Sequence, residues 1–272
     1  MDRIKIYGLD NMVASKIITL LTDFGESDAY VGVMKGMIAQ ITSQLDIIDL
    51  THQIPPQNLL AAKYVLFNAY PYFPSGTIHI VVVDPGVGST RRGVAIELSN
   101  GYVVCPDNGI CSGVLDSAIA AVELTNPQYW RVPNPSNTFH GRDIFAPVGA
   151  HLANGVPLAK LGQKVELESL VRLDLPAIVI NQPSIVGCVQ YIDRFGNLIT
   201  NIPERLVNQK SWQIIDLPRV IHSATAYSDV ASGEAVTLVG SHGWVEIAIN
   251  SGSAAAELNL TWQDKIHLLV NV

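Results

Sequence analysis

A few short polar knots along this chain carry residue types that suit acid–base chemistry and polar ligand binding. Two knots follow apolar runs. One is Thr22-Asp23-Phe24-Gly25 with Ser27-Asp28 just beyond; the other is Asp84-Pro85-Gly86-Val87-Gly88-Ser89-Thr90-Arg91-Arg92. Ligands of open α/β sheets collect outside the C-terminal ends of strands, where such acids can meet them. One acid after a strand is ordinarily a helix cap or turn residue, but two such segments after neighbouring strands favour a site. A third knot, Asn137-Thr138-Phe139-His140-Gly141-Arg142-Asp143, sets an imidazole beside a base and an acid, flanked by Pro133, Pro135 and Pro147. It reads equally as a packed loop histidine and as a catalytic or binding group.

Nearer the C-terminus, Tyr191-Ile192-Asp193-Arg194-Phe195-Gly196-Asn197 places an acid, an aromatic and an amide around one turn. The plain reading is a hairpin corner with a packed Phe. Asp193, Phe195 and Asn197 could also supply ligand hydrogen bonding, base stacking and an adenine-edge contact. Ser241-His242-Gly243-Trp244 and the run from Asn250 through Ala256 are turn-like taken alone. The glycines after Asp84 lack the G-x-G-x-x-G order and the Gly-Lys-Ser/Thr of a P-loop, so they do not read as a phosphate cradle. There is no H-E-x-x-H pair and no G-x-S-x-G elbow, which moves metal-dependent hydrolysis and serine acyl transfer well down; no metal site is expected.

Cys105, Cys111 and Cys188 form no C-x-x-C pair, and reduced thiols in a cytoplasmic protein are the economical reading. The net charge of −7, with a pI of about 5.4, argues against a large nucleic-acid footprint and for a small-molecule ligand. Apolar residues make up 48% and charged residues 15%, with a mean hydropathy of +0.27, which excludes disorder and suggests a homo-oligomer that covers part of its surface. Apolar runs are strand-sized, so no membrane span is expected, and the charged first residues do not resemble a signal peptide.

The elements that must position these knots follow from hydrophobic periodicity. At 272 residues, and with roughly 150 per domain, two domains are the starting expectation. Strands are predicted over 16–22, 47–50, 77–83, 93–98 and 102–106, and helices over 30–41, 58–69 and 109–120. That alternation predicts a layered α/β domain, residues 14–178, with a mainly parallel central sheet. Short strands at 184–193, 197–201, 236–239, 244–249 and 265–270 then predict a smaller β-barrel-like domain over 183–272. Residues 1–13 read as a tail.

In combination, TDFG at 22–25, DPGVGSTRR at 84–92, PDNG at 106–109, FHGRD at 139–143, DRFGN at 193–197 and the Asn-Ser-Gly-Ser-Ala-Ala run at 250–255 resemble the S-adenosyl-L-methionine (SAM) hydroxide adenosyltransferase family. These are the SAM hydrolases related to fluorinases and chlorinases, and the resemblance spans about residues 17–270. It implies an enzyme that cleaves SAM with water to adenosine and L-methionine, without a cofactor. The catalytic set it implies is Asp84, Arg91, which precedes Arg92, and His140. It further implies Asp23 for the ribose hydroxyls, Asp28 and Ser241 for the methionine part, Asp193 for the methionine amine, and Phe195, Asn197 and Asn250 near adenine. The family's assembly implies a homotrimer whose site lies at the subunit interface.

Two departures from the halogenating relatives favour water over halide. Those enzymes replace the His-Gly pair, partly with the serine that receives halide, and carry tyrosine at the Asp84 position; they also hold a long insertion where this chain has the short turn 98–102. Their ligand-packing tryptophan falls near Gln57, and their arginine beside Ser241 falls on His242. Halide transfer to the same substrate and a non-catalytic adenosine or SAM binding module are the alternative readings.

Overall fold

The computed structural model describes residues 17–208 and 210–270; the expected tail, residues 1–13, lies outside them. The described residues form two compact units, one of residues 17–62 with Ala69–Val171, the other of Lys63–Asn68 with residues 172–270.

The first unit is built on β1 (Ile17–Thr22), α1 (Tyr30–Ile41), β2 (Asp46–Thr51), the start of α2 (Leu59–Ala69), β3 (Thr77–Val82), β4 (Gly93–Leu98), β5 (Gly101–Pro106), β6 (Ala118–Glu123), α3 (Ala146–Ala153) and β7 (Gln163–Val165). The sheet order is β2-β1-β3-β5-β4-β6-β7. β1 and β3 are buried along their whole length, as continuous Ile/Leu/Val runs covered on both faces must be. Ile18, Leu20, Ile78 and Ile80 pack with Met34, Ile38, Val148 and Ala150 in one core. Gly149 lets α3 lie directly on β3, since a Cβ there would stand 2.5 Å from Ile80 Cδ1.

Two expectations for this unit need correction. The sheet is mixed rather than mainly parallel: β2-β1, β1-β3 and β3-β5 pair parallel, whereas β5-β4, β4-β6 and β6-β7 pair antiparallel. The cause is local, because only Ser99 and Asn100 separate β4 from β5 and so short a link joins antiparallel neighbours alone. The helix predicted over 109–120 is absent. Gly109 takes φ +91°, Asn108 Oδ1 accepts the Ile110 N–H at 3.3 Å, and Ser112 Oγ donates to the Gly109 carbonyl at 2.6 Å. Residues 115–117 make a single 3₁₀ turn and the alanines that follow join β4 as β6, so sheet pairing overrides helix propensity.

The second unit comprises β8 (Val179–Asn181), β9 (Ser184–Ile192), β10 (Leu198–Pro203), β11 (Trp212–Ile215), β12 (Ile221–His222), β13 (Ala235–Val239), β14 (Trp244–Ile249), the short α4 (Ala254–Leu258) and β15 (Lys265–Val270). Its sheet runs β12-β11-β15-β9-β10-β14-β13, with β8 added to β9, and every paired neighbour is antiparallel. A bridge from Ser223 to Thr237, with the Ala224 N–H donating to the Thr237 carbonyl at 2.9 Å, nearly closes it into a barrel. Val189, Leu198, Ile202, Ile214, Val245, Ile247 and Leu268 fill the interior. β8, β11 and β12 are too short to carry a pattern of their own. Among the described residues, no helix is long and apolar enough to cross a membrane.

Candidate active site

The first unit holds a pocket of about 170 Å³ whose lining includes Asp23, Gln57, Asp84, Thr138, Phe139 and His140. Asp84 stands two residues past β3, where the buried strand delivers it to the C-terminal end of the parallel strands. Its carboxylate takes Arg91 Nε at 2.9 and 3.1 Å and a further bond from Arg91 Nη2. The same Nη2 lies 2.6 Å from His140 Nδ1. Arg91 and Asp84 side chains are 11% and 6% exposed, so this is a nearly dry ion pair, and the guanidinium also sits 5.3 Å from the centre of the Phe145 ring.

Because a guanidinium offers only donors, its contact requires His140 Nδ1 to accept, which leaves the proton of a neutral ring on Nε2. Burial, and then the charge of Arg91, push the His140 pKa below the ordinary imidazole value against the pull of Asp84 and Asp143. Directly after His140 the chain makes one π-helical turn, Gly141–Phe145, before α3, a distortion that often accompanies functional residues.

The neighbours of these groups face elsewhere. Arg92 bonds Asp107 through Nε at 2.9 Å and Nη2 at 2.5 Å, and reaches the Ser169 carbonyl at 2.6 Å. In the FHGRD knot, His140 lines the pocket while Arg142 and Asp143 turn to each other: fully buried Asp143 accepts from Arg142 Nε at 2.7 Å, Arg131 Nε at 2.5 Å and the Ser136 N–H at 2.8 Å. Burial alone would raise its pKa, yet these donors hold it well below the carboxylate range. Asp143 thus pins the loop that presents His140.

Asp23 closes the other side. Its Oδ2 accepts the Gln57 N–H at 2.8 Å, and Gln57 adopts φ +65° to offer it. The turn after β1 is held by His52, whose carbonyl takes the Gly25 N–H at 2.8 Å and whose Nδ1 lies 2.8 Å from Thr22 Oγ1. No periodic signal marks His52 or Gln57 as supports of this turn.

The second unit has its own pocket of about 570 Å³, lined by Asp193, Phe195, Asn197, Tyr227, Ile249 and Asn250 with Ser251 and Gly252. Asp193 organises the turn: Oδ1 accepts the Phe195 and Asn197 N–H groups, each at 2.9 Å, and Oδ2 accepts from Asn197 Nδ2 at 3.0 Å. Phe195 is left 77% exposed, so the packed-corner reading fails for its ring. Gly196 (φ +81°) allows close approach of Ser253, and the Ala255 N–H donates to its carbonyl at 2.9 Å, tying α4 to the turn. Tyr227 escaped sequence reasoning. Its hydroxyl donates to Glu246 Oε1 at 2.7 Å, and burial followed by that bond raises its pKa.

Asp28 and Ser241 are exposed and line neither pocket. His242 is engaged inside the fold: Nδ1 accepts the Trp244 N–H at 3.2 Å and Nε2 lies 3.1 Å from Glu246 Oε2. Among the described residues, no group of three His, Cys, Asp or Glu side chains is placed to hold a metal ion.

Two family models match the chain: the SAM hydroxide adenosyltransferase N-terminal domain over residues 18–162 and the corresponding C-terminal domain over residues 187–267. The chain belongs to the SAM hydroxide adenosyltransferase family. It is 39% identical over 263 residues to the (R)-S-adenosyl-L-methionine hydrolase of Salinispora tropica, covering 94% of this chain and 99% of that protein. The fluorinase of Actinopolyspora mzabensis is more distant, 28% identical over 282 residues, with 90% of this chain and 94% of the fluorinase covered. The crystal structure of an uncharacterized conserved protein from Thermotoga maritima matches with a TM-score of 0.85 at 36% identity, over 93% of this chain and 99% of that one.

Proposed function

We propose that this enzyme hydrolyses (R)-S-adenosyl-L-methionine, with water or hydroxide attacking C5′ to release adenosine and L-methionine. The observation that carries the reading is the hydrogen-bonded chain Asp84–Arg91–His140, whose Asp84 and His140 line a small pocket while Arg91 joins them. The sulfonium leaves as a neutral thioether, so the leaving group needs neither a proton nor a cofactor. Help is needed at the nucleophile.

Neutral His140, its Nδ1 occupied by Arg91, has an Nε2–H to donate to the oxygen of the attacking water or hydroxide. It therefore positions the nucleophile rather than taking its proton, which passes to solvent as the hydroxide forms, while the Arg91 charge, oriented and partly balanced by Asp84, favours that hydroxide form. Attack merges hydroxide and sulfonium charges, and a water-poor pocket favours a transition state less charged than its reactants.

We assign Asp23 to the ribose hydroxyls, Phe195, Asn197 and Asn250 to adenine, Asp193 to the methionine amine, and Asp28 and Ser241 to the methionine part. The protein acts in the cytoplasm as a homotrimer, each site drawing on the first unit of one subunit and the second unit of its neighbour. The strong exposure of Phe195 and the low charge content support that assembly.

The test is incubation with SAM in water enriched in heavy oxygen. Label is expected in the 5′-hydroxyl of adenosine, and added chloride or fluoride should yield no halogenated nucleoside. Absence of adenosine, or adenosine without label, overturns the assignment.

A further inference from the structure

Cys105 and Cys111 take no part in this reaction, yet their sulfurs stand 2.8 Å apart in the interior of the first unit, inside the sum of two sulfur radii. Both are free thiols, 1% and 5% exposed. Cys105 is the penultimate residue of β5, opposite Val94 of β4. Cys111 follows the tight turn at Gly109. The residues between them brace the pocket from behind. Asp107 holds Arg92 and accepts the Val171 N–H at 2.9 Å, and Asn108 Nδ2 donates at 2.9 Å to the carbonyl of Val83, the residue before Asp84.

We propose that Cys105 and Cys111 form a peroxide-oxidisable pair, closing to an intramolecular disulfide that clamps the 105–111 turn where it supports Arg92 and the end of β3. The inference stands apart from the hydrolysis and does not depend on it.

The chemistry balances with hydrogen peroxide as the oxidant. One thiol, as thiolate, attacks a peroxide oxygen; the O–O bond breaks, a sulfenic acid forms and one water is released. The second sulfur then attacks the sulfenic sulfur, the S–S bond forms, the S–O bond breaks and a second water leaves. Two thiols lose two electrons in total and one peroxide gains them. Closure asks the sulfurs to approach by less than about 1 Å, to the ~2.05 Å of a disulfide. Burial and the adjoining Cys111 push the Cys105 thiol up, so Cys105 stays protonated at neutral pH and its oxidation quickens as pH rises. The remaining thiol, Cys188, lies in the second unit and serves as an internal control.

The experiment uses the intact wild-type protein, treated with hydrogen peroxide, quenched, denatured and alkylated. All 3 cysteines should alkylate before treatment, only Cys188 afterwards, and a thiol reductant should restore the full set. Proteolysis before Asp107 puts Cys105 and Cys111 on separate peptides, which should stay linked until reduced. The oxidised protein should melt about 5 °C higher, as loop closure in the unfolded chain implies. Full alkylation after peroxide overturns the proposal, as does a sulfinate or sulfonate in place of the bond, or a link through Cys188.

Discussion

Arg91 and Arg92 are neighbours in the chain with opposite destinations, and that divergence yields the sharpest predictions at the scale of single residues. Arg91→Ala should cut turnover by about 10²–10⁴, the usual worth of a positioned charge or proton donor, while adenosine binding measured by calorimetry persists. Arg92→Ala removes the Asp107 tie and should lower the melting temperature with turnover largely kept. The reverse pattern would place the reacting charge on the wrong arginine. His140 supplies a pH test. Its pKa is lowered, so the ring stays neutral into mildly acid solution; once protonated, Nδ1 can no longer accept from Arg91. The His140 ring, followed by NMR, should therefore titrate below 6.5, the ordinary imidazole value, and the loss of turnover that its protonation causes should come below 6.5 as well. A ring that titrates above 6.5 would contradict that environment.

At the scale of elements, the site is assembled by loops that grip one another. Gly88 shows how tightly: it adopts φ +76°, and a Cβ there would stand 2.3 Å from the Asn137 carbonyl oxygen, so the loop carrying Asp84 and Arg91 lies against the one carrying His140. Gly88→Ala adds left-handed strain and a backbone clash. It should cost about 2 kcal/mol or more of stability and reduce turnover by prising Arg91 from His140, measured by thermal denaturation and by initial rates. A variant as stable and as active as wild type would show that the two loops do not depend on that contact. Asp143 has a parallel task on the His140 loop, which it holds through Arg131, Arg142 and the Ser136 N–H.

For the whole molecule, the shared site of the proposed trimer makes a prediction that no single-subunit site can match. Arg91→Ala disables the pocket of the first unit and Asn197→Ala that of the second, so each variant alone should be inactive. Co-expressed in equal amounts and assembled at random, they should give mixed trimers with one intact site in three, so that about a quarter of all sites pair two intact units. Recovery of roughly that share of wild-type turnover is the expected result. Co-purified mixed oligomers without activity would locate the whole site within one chain.

The sequence determined which residue types are available and where they fall along the chain. The buried strands β1 and β3, the helix α1 and the barrel strands β9, β10, β14 and β15 were legible because each is long enough to show a hydrophobic period. Asp23, Asp84 and His140 were legible as polar knots beside such elements. Tertiary structure alone decided the rest. Residues 118–120 gave up helical propensity for a place beside β4, and a two-residue link made the sheet mixed. Arg91 went to Asp84 and His140 while Arg92 went to Asp107, and Tyr227 arrived in a pocket beside Phe195 from a distant turn. The physical reason is common to these cases: local pattern fixes which face of an element is apolar, whereas pairing partners across the sheet and the direction of a charged side chain depend on contacts far apart in sequence.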